Sequence, residues 1–535
     1  MGLPPEASAT ELTKVPAVHV EQDGLLPEGV SAGDGFVLSN EPVRTNASLI
    51  ISFDFERLPQ TETPLARLQL ADLTKVKVKR PGQKAGTARG VLHAFARLSD
   101  KRDAELVGSA PVKPAGIATP YTLDVTRAVN DALARPAGQR KLRLEVRMTG
   151  LPCCYEVYAL PQGVTHAPPF MEVAPLAGWT QDWAQRLAPL NRGHSVYREA
   201  CMPMTTNRSA AVVPPLLYPV QRITEVVHSG TGEKLQEFRD WMLRDGKLVL
   251  PPGSHAPIQV EKEFFVKHPK PGEAAMPAAG KPLPLQSIVL MEGTWYHERQ
   301  IEVTYEPASR DWPYPAPRSS LADLPRLKKL LAAKNPVRVV LFGDSISLGG
   351  NASKVQGGWP YQPCFGELVA WQLERQTGSK VTYMNHSRGG AGAAYGASQA
   401  ESQVGWFKPD LAIIGFGMND RRPERQKTFR ADMEKILDTI RASSPDTEFV
   451  IVTPILNNPK QPDKGEAILA IRDETFKISR PGVAFADVTS VEQELVRHKN
   501  YLDLSGNGAN HPNDFMQRIY AQRILEVLIP AADGK

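Results

Sequence analysis

The sequence predicts a multidomain chain: an N-terminal β-sandwich region or regions, jelly-roll-like, followed by a C-terminal α/β three-layer domain on a five-stranded parallel sheet. Three observations predict it. The 535 residues provide for about three or four units at roughly 150 residues each. The first 307 residues carry short β-like runs punctuated by Pro and Gly, as antiparallel strands do. Beyond a proline-rich stretch the apolar runs become continuous and alternate with helical segments, the pattern of a parallel sheet covered on both faces.

In chain order, residues 1–175 read as the first sandwich, with strands at Leu49–Phe53, Leu65–Leu70, Val91–Arg97 and Leu142–Arg147. A helix at Asp124–Leu133, capped by Asp124 or Thr126, interrupts them. The order of strands, the Leu-Asp-Val-Thr turn and the strand after Ala137-Gly138-Gln139 resembles jelly-roll modules appended to secreted polysaccharide-degrading enzymes. That resemblance implies either a spacer or a sugar-binding module. Lys75 to Arg80 alternates Lys with Val and reads as a half-buried strand with its lysines in water. Residues 176–307 read as a second β-rich domain, with strands near Val212-Val213, Ile223–Val227, Lys247–Leu250, Ile258–Val260 and Gln300–Tyr305. His194, Tyr197 and Glu199 are assigned packing and surface roles there, and Trp179, Trp183, Trp241 and Trp295 a place in the core rather than in a sugar platform. Residues 308–335, with Pro313, Pro315, Pro317 and Pro325, form a stiff linker holding a short helix at Leu324–Leu331. Residues 336–535 then supply the strands Arg338–Phe342, Lys380–Met384, Leu411–Gly415, Phe449–Thr453 and Val483–Ala486, with helices such as Phe365–Gln376 and Phe429–Ala442 between them.

Bulk properties exclude several classes. Lys+Arg 63 against Asp+Glu 58 leaves a net charge of +5 with no basic cluster, so nucleic acid is not an expected partner. Cys153, Cys154, Cys201 and Cys364 lack paired metal-ligand spacing, and the adjacent Cys153 and Cys154 read as opposite faces of a strand. No stretch reaches the ~20 apolar residues of a membrane helix. Met1-Gly2 is read as a start placed behind a removed leader, which makes a secreted or periplasmic location the expectation. No metal or cofactor is implied, because His297-Glu298 and His498 do not form a His-Glu-x-x-His helix and the glycines at 389–396 lack a phosphate-loop ending.

The chemistry-bearing residues fall after strands, where parallel sheets bind ligands. Gly343-Asp344-Ser345-Ile346-Ser347 follows the first run, Asn385-His386-Ser387-Arg388-Gly389-Gly390 the second, Gly417-Met418-Asn419-Asp420 the third, and His511-Pro512-Asn513 closes the series. Each alone is ordinary turn or cap chemistry. In this order they resemble the SGNH/GDSL hydrolases, over residues 336 to about 530. The resemblance implies a serine esterase with Ser345 as nucleophile, His511 as base, and an oxyanion hole from the N–H groups of Ser345 and Gly390 and the amide of Asn419. His386 is read as structural, and Asp514 as the start of a capped helix running to Leu528.

One position departs from the family. An aspartate usually precedes the histidine by three residues, and here that residue is Gly508. Asp503 as the third triad member, a backbone carbonyl or Asn507 as orienter, and a Ser-His dyad all stay open, with a dyad or noncarboxylate orienter preferred. The missing Gly-X-Ser-X-Gly elbow and lid-like apolar segments favour a short acyl group. The expected reaction is removal of acetyl groups from a polysaccharide or oligosaccharide. The competing readings are a general carboxylesterase or lysophospholipase-like hydrolase, a carbohydrate-binding protein with an inactive hydrolase domain, and an acyltransferase.

Overall fold

In a computed structural model of the chain, residues 182–266, 275–277, 287–460 and 465–529 are described, preceded by stretches at 13–16, 19–23, 37–38, 48–58, 63, 65–70, 74–76, 90–96, 105–111, 121–150, 157–159 and 170–173. The C-terminal sheet consists of β1 (Val337–Gly343), β2 (Val381–Asn385), β3 (Leu411–Gly415), β4 (Glu448–Val452) and β5 (Val483–Ala486). All pairs are parallel and the spatial order is β2-β1-β3-β4-β5. These are the five apolar runs, shifted by a single residue at most. Among the helices after them are α1 (Ser345–Leu348), α2 (Phe365–Thr377), α3 (Ala393–Gln403), α4 (Pro423–Ser443), α5 (Glu466–Phe476), α6 (Val488–His498) and α7 (Asp514–Leu528), with a single helical turn at Ser353–Gln356 between the first two.

Side chains alternate across a strand. In β1, Val337, Val339 and Leu341 enter one core with α2, α6 and α7, while Val340 and Phe342 enter a second core with α3 and α4. The chain leaves β1 for β2 on one side and crosses back to β3 on the other. Such a reversal opens a crevice at the carboxyl ends of the two strands flanking it, so the residues after β1 and β3 face a common cleft.

Upstream, the described residues form small antiparallel sheets. One has the order Thr13–Pro16, Phe170–Val173, Ala66–Leu70, Tyr121–Asp124, and another His19–Asp23, Ser48–Asp54, Lys141–Gly150, Gly90–Ala96, Glu105–Pro111. The expected helix runs Thr126–Leu133, with the Asp124 carboxylate accepting from the Thr126 N–H at 3.0 Å. Lys77 to Arg80, Cys153, Cys154 and Trp179 lie outside the described residues. Arg67 donates to the carbonyls of Lys354 and Val355, and the buried Lys354 ammonium meets Asp124 at 2.8 Å and Glu367 at 2.6 Å. The first region thereby touches the turn behind the cleft.

The segment 182–307 carries a three-stranded antiparallel sheet in the order Val196–Cys201, Ile301–Pro307, Val220–His228. Around Val212 only an isolated bridge to Leu250 forms. Its apolar side chains, including the buried Trp183 and Trp241, join the core of the C-terminal sheet, and so do Trp312, Leu321, Leu324 and Leu327 of the proline-rich stretch. Apolar side chains before residue 307, within 308–335 and after it thus pack together among the described residues. The helix expected in that stretch is present at Pro325–Ala332.

Every residue of α7 except Glu526 is buried, because segment 182–316 covers the face that a surface helix gives to water. Its polar residues serve as buried donors. Arg518 reaches the carbonyls of Tyr197 and Arg198, Gln522 that of Ala188, and Arg523 those of Pro315 and Ala316. The helix cap is Asn513, whose side chain accepts from the Met516 N–H, and Asp514 is the first helical residue. Of the three residues assigned to packing and surface roles, His194 is exposed beside Glu306 and Tyr197 donates to Asp182. Glu199 is fully buried against Lys499 at 2.6 Å and accepts from the Tyr305 hydroxyl at 2.7 Å.

Removing one member of a buried ion pair leaves an uncompensated charge. Glu199→Leu is expected to destabilise the protein by about 3–5 kcal/mol, and adding Lys499→Met should recover part of that loss. Thermal melting of the single and double variants checks it.

Candidate active site

The turn that carries Ser345 begins where β1 ends. Asp344 caps α1 by accepting from the Ile346 N–H at 2.9 Å. Burial pushes its carboxyl up to about 7 against the backbone bonds that favour the charged form. The chain then doubles back, and the Gly350 N–H donates to the Ser345 carbonyl at 2.8 Å. A β-carbon on Gly350 would lie 2.9 Å from that carbonyl and 3.1 Å from His511 Nδ1, so glycine alone lets the turn pass beneath the ring. The next residue, Asn351, has φ +62°, a left-handed conformation that asparagine tolerates better than most residues.

Asn351 explains the orientation of the His511 ring. Its amide nitrogen donates to the carbonyls of Gly293 at 3.1 Å and Gly506 at 3.0 Å. Both amide hydrogens are thereby engaged, and the oxygen faces His511 Nδ1 at 2.7 Å. An acceptor at that distance calls for an N–H on Nδ1. The neutral ring then presents the lone pair of Nε2 to Ser345 Oγ, 2.9 Å away. Serine and histidine, 166 positions apart, thus meet in hydrogen-bond geometry.

The loop before His511 is shaped by Asn507, whose oxygen accepts from the N–H groups of Ala509, Asn510 and His511, each at 3.0 Å. Asn507 does not meet the ring. Its amide nitrogen donates instead to Glu292 Oε1 at 3.0 Å, and Glu292 Oε2 lies 3.2 Å from His511 Nδ1. Burial opposes the charge on Glu292, but the hydrogen bonds it accepts from His511 and Asn507 outweigh it and hold the carboxyl below its usual value.

Gly508 occupies the position of the usual aspartate and has φ +83°. A β-carbon there would lie 2.1 Å from the Tyr296 hydroxyl and 2.7 Å from the Val289 carbonyl. There is no space for a carboxylate. Asp503, the sequence candidate for third member, is engaged elsewhere. It accepts from the N–H groups of Met202 at 2.7 Å and Asn500 at 2.9 Å, closing a short 3-10 turn, and lies 3.9 Å from Lys499. The ring partners are Asn351 and Glu292, neither of which the sequence motifs flag. Asn351, six residues after Ser345, carries a faint local signal in the Gly-Gly-Asn turn. Glu292 carries none.

The loops after β2 and β3 are stapled together. Asn419 donates one amide hydrogen to the Ala391 carbonyl at 2.9 Å, which leaves its second N–H for another acceptor. Asp420, pushed up to about 6 by burial, accepts from the Ala393 N–H and caps α3. Gly390 is exposed, with φ +73°. His386 is buried, bonds the Gln403 carbonyl through Nδ1 at 2.5 Å, and is held down to about 4 by burial, so it stays neutral and structural.

Residues 341–519 match the model of the GDSL-like Lipase/Acylhydrolase family, a span that encloses Ser345, Gly390, Asn419 and His511 and leaves Glu292 outside. No curated protein matches the chain. Matches among solved structures include LAE5, an α/β hydrolase enzyme from the metagenome of Lake Arreo, Spain, at 16% identity over 36% of this chain and 94% of that one, TM-score 0.31. Axe2, an acetylxylan esterase from Geobacillus stearothermophilus, matches at 16% identity over 36% and 94%, TM-score 0.30. CEX, a two-domain esterase active on acetylated mannans, matches at 19% identity over 40% and 54%, TM-score 0.31. With the parallel sheet and the strand-end motifs in place, residues 341–519 constitute a GDSL-like lipase/acylhydrolase domain.

Proposed function

We propose that the C-terminal domain hydrolyses short acyl esters, acetyl groups on carbohydrate above all, with Ser345 as nucleophile and His511 as base. The observation that carries this reading is the 2.9 Å contact between Ser345 Oγ and His511 Nε2, with the other ring nitrogen held as a donor by Asn351. In this reading Ser345 Oγ bonds to the ester carbonyl carbon as its proton passes to Nε2. The carbonyl oxygen, now negative, is received by the N–H groups of Ser345 and Gly390 and by the second N–H of Asn419. Collapse expels the alcohol, which takes the proton from His511. Water then repeats the sequence on the acyl-enzyme and releases the acid.

A small acyl group suits the surroundings. The nucleophile turn and the facing loops are glycine and polar residues, Gly349, Gly350, Asn351, Arg388, Gly389 and Asn419, and the exposed apolar side chains beside them are Leu348 and Val355. A long acyl chain would gain little apolar burial there. The N-terminal antiparallel sheets are read as a jelly-roll-like sandwich of the kind appended to secreted polysaccharide-degrading enzymes, which is consistent with a glycan substrate and a secreted or periplasmic location.

Ser345→Ala is expected to abolish hydrolysis of 4-nitrophenyl acetate, and Asn419→Ala to lower kcat by about 100- to 1000-fold with little change in melting temperature. Acetate release should be detectable from at least one of acetylated xylan, pectin or acetylated oligosaccharides, and rates on nitrophenyl esters should fall as the acyl chain lengthens. Rapid hydrolysis of long-chain esters with no acetate from any glycan would overturn the substrate assignment.

A further inference from the structure

The outward nitrogen of His511 touches two side chains of different character. Asn351 is neutral and sets where the proton sits before reaction. Glu292 is a carboxylate at 3.2 Å, 219 positions earlier in the chain and outside the span of the family match. Its segment is fixed against the histidine loop from several directions. The Met291 N–H donates to the Asn507 carbonyl, Gly293 accepts from Asn351, and the Tyr296 hydroxyl packs over Gly508. Gln300 donates to the carbonyls of Leu502 and Ser505 and accepts from Asn513. Asn507 binds Glu292 with one end and the backbone of His511 with the other, so the acid and the base share one organiser.

We infer that Glu292 is the positioning acid of this site, providing from the preceding β-rich segment the negative charge that Gly508 cannot carry. The inference rests on the reading of Ser345 and His511 as an acyl-transfer pair. When the ring takes the serine proton it becomes positive on a site only 14% exposed, and a carboxylate beside Nδ1 stabilises that charged form. Glu292 is itself 57% exposed, so solvent screens the attraction and the effect is smaller than for a buried acid. Asp344, on the turn that carries Ser345, also feels the ring. It is common to the parent and the variants, so the difference between them isolates Glu292.

The experiment is the pH profile of kcat/KM for 4-nitrophenyl acetate in the parent, Glu292→Gln and Glu292→Ala, with Ser345→Ala alongside. Both Glu292 variants remove the charge that stabilises the protonated ring, so they should move the acid limb to lower pH and lower the plateau about 5- to 30-fold. Raising the salt concentration should move the parent's acid limb the same way and leave that of Glu292→Gln in place. A plateau that falls while the limb stays put marks a structural contact only and overturns the inference, as does an unchanged profile. If the variants do not fold, the salt arm on the parent decides, and a limb indifferent to salt overturns it. Activity that survives Ser345→Ala defeats the acyl-transfer reading itself, a different result from an unmoved limb in an enzyme that Ser345→Ala silences.

Discussion

The contact between the Asn351 amide and His511 constrains everything else at the C-terminal cleft. An imidazole accepts a proton from serine only when the nitrogen facing the hydroxyl is bare, and the hydrogen bond made by the other nitrogen decides which tautomer is present. Here the choice is made by two backbone carbonyls, of Gly293 and Gly506, which claim both hydrogens of one amide and so turn its oxygen toward the ring. The left-handed turn at Asn351 and the glycine before it exist in service of that arrangement. One of the two carbonyls belongs to the β-rich segment, so the proton's location depends on chain outside the family domain.

The seam between that segment and the histidine loop also accounts for the departure from the family motif. A bulky tyrosine occupies the space an acidic side chain would need at position 508, and a glutamate from the same stretch of chain arrives at the ring from another direction. The two substitutions are complementary. The residue that excludes the usual acid and the residue that stands in its geometric place lie four positions apart.

The parallel sheet was legible in the sequence because strands buried on both faces leave apolar runs, and β1 shows why: from Val339 to Phe342 successive side chains enter opposite cores, and the one charged residue of the strand, Arg338, lies exposed near its start. Ser345 and His511, which meet at 2.9 Å, were legible because each sits in a compact motif at a strand end or helix start. Asn351 and Glu292 were not, since their relation to the ring is set by a turn conformation and by a docking surface, neither of which has a local period. The polar stripe Arg518, Gln522 and Arg523 misleads in the same way. It has the composition of a water-facing helix side, yet its donors terminate on carbonyls of segments more than 200 positions away.

The single apolar core running from Trp183 through Trp312 to Leu528 has a consequence for how the chain is divided. The stretch matched by the family model, 341–519, and the stretch that shares this core are not the same length. Cutting at those limits would divide β1 and α7 themselves and remove the carbonyls of Tyr197 and Arg198 that Arg518 reaches. An exchange of catalytic domains between proteins of this architecture must carry the upstream three-stranded sheet along with it.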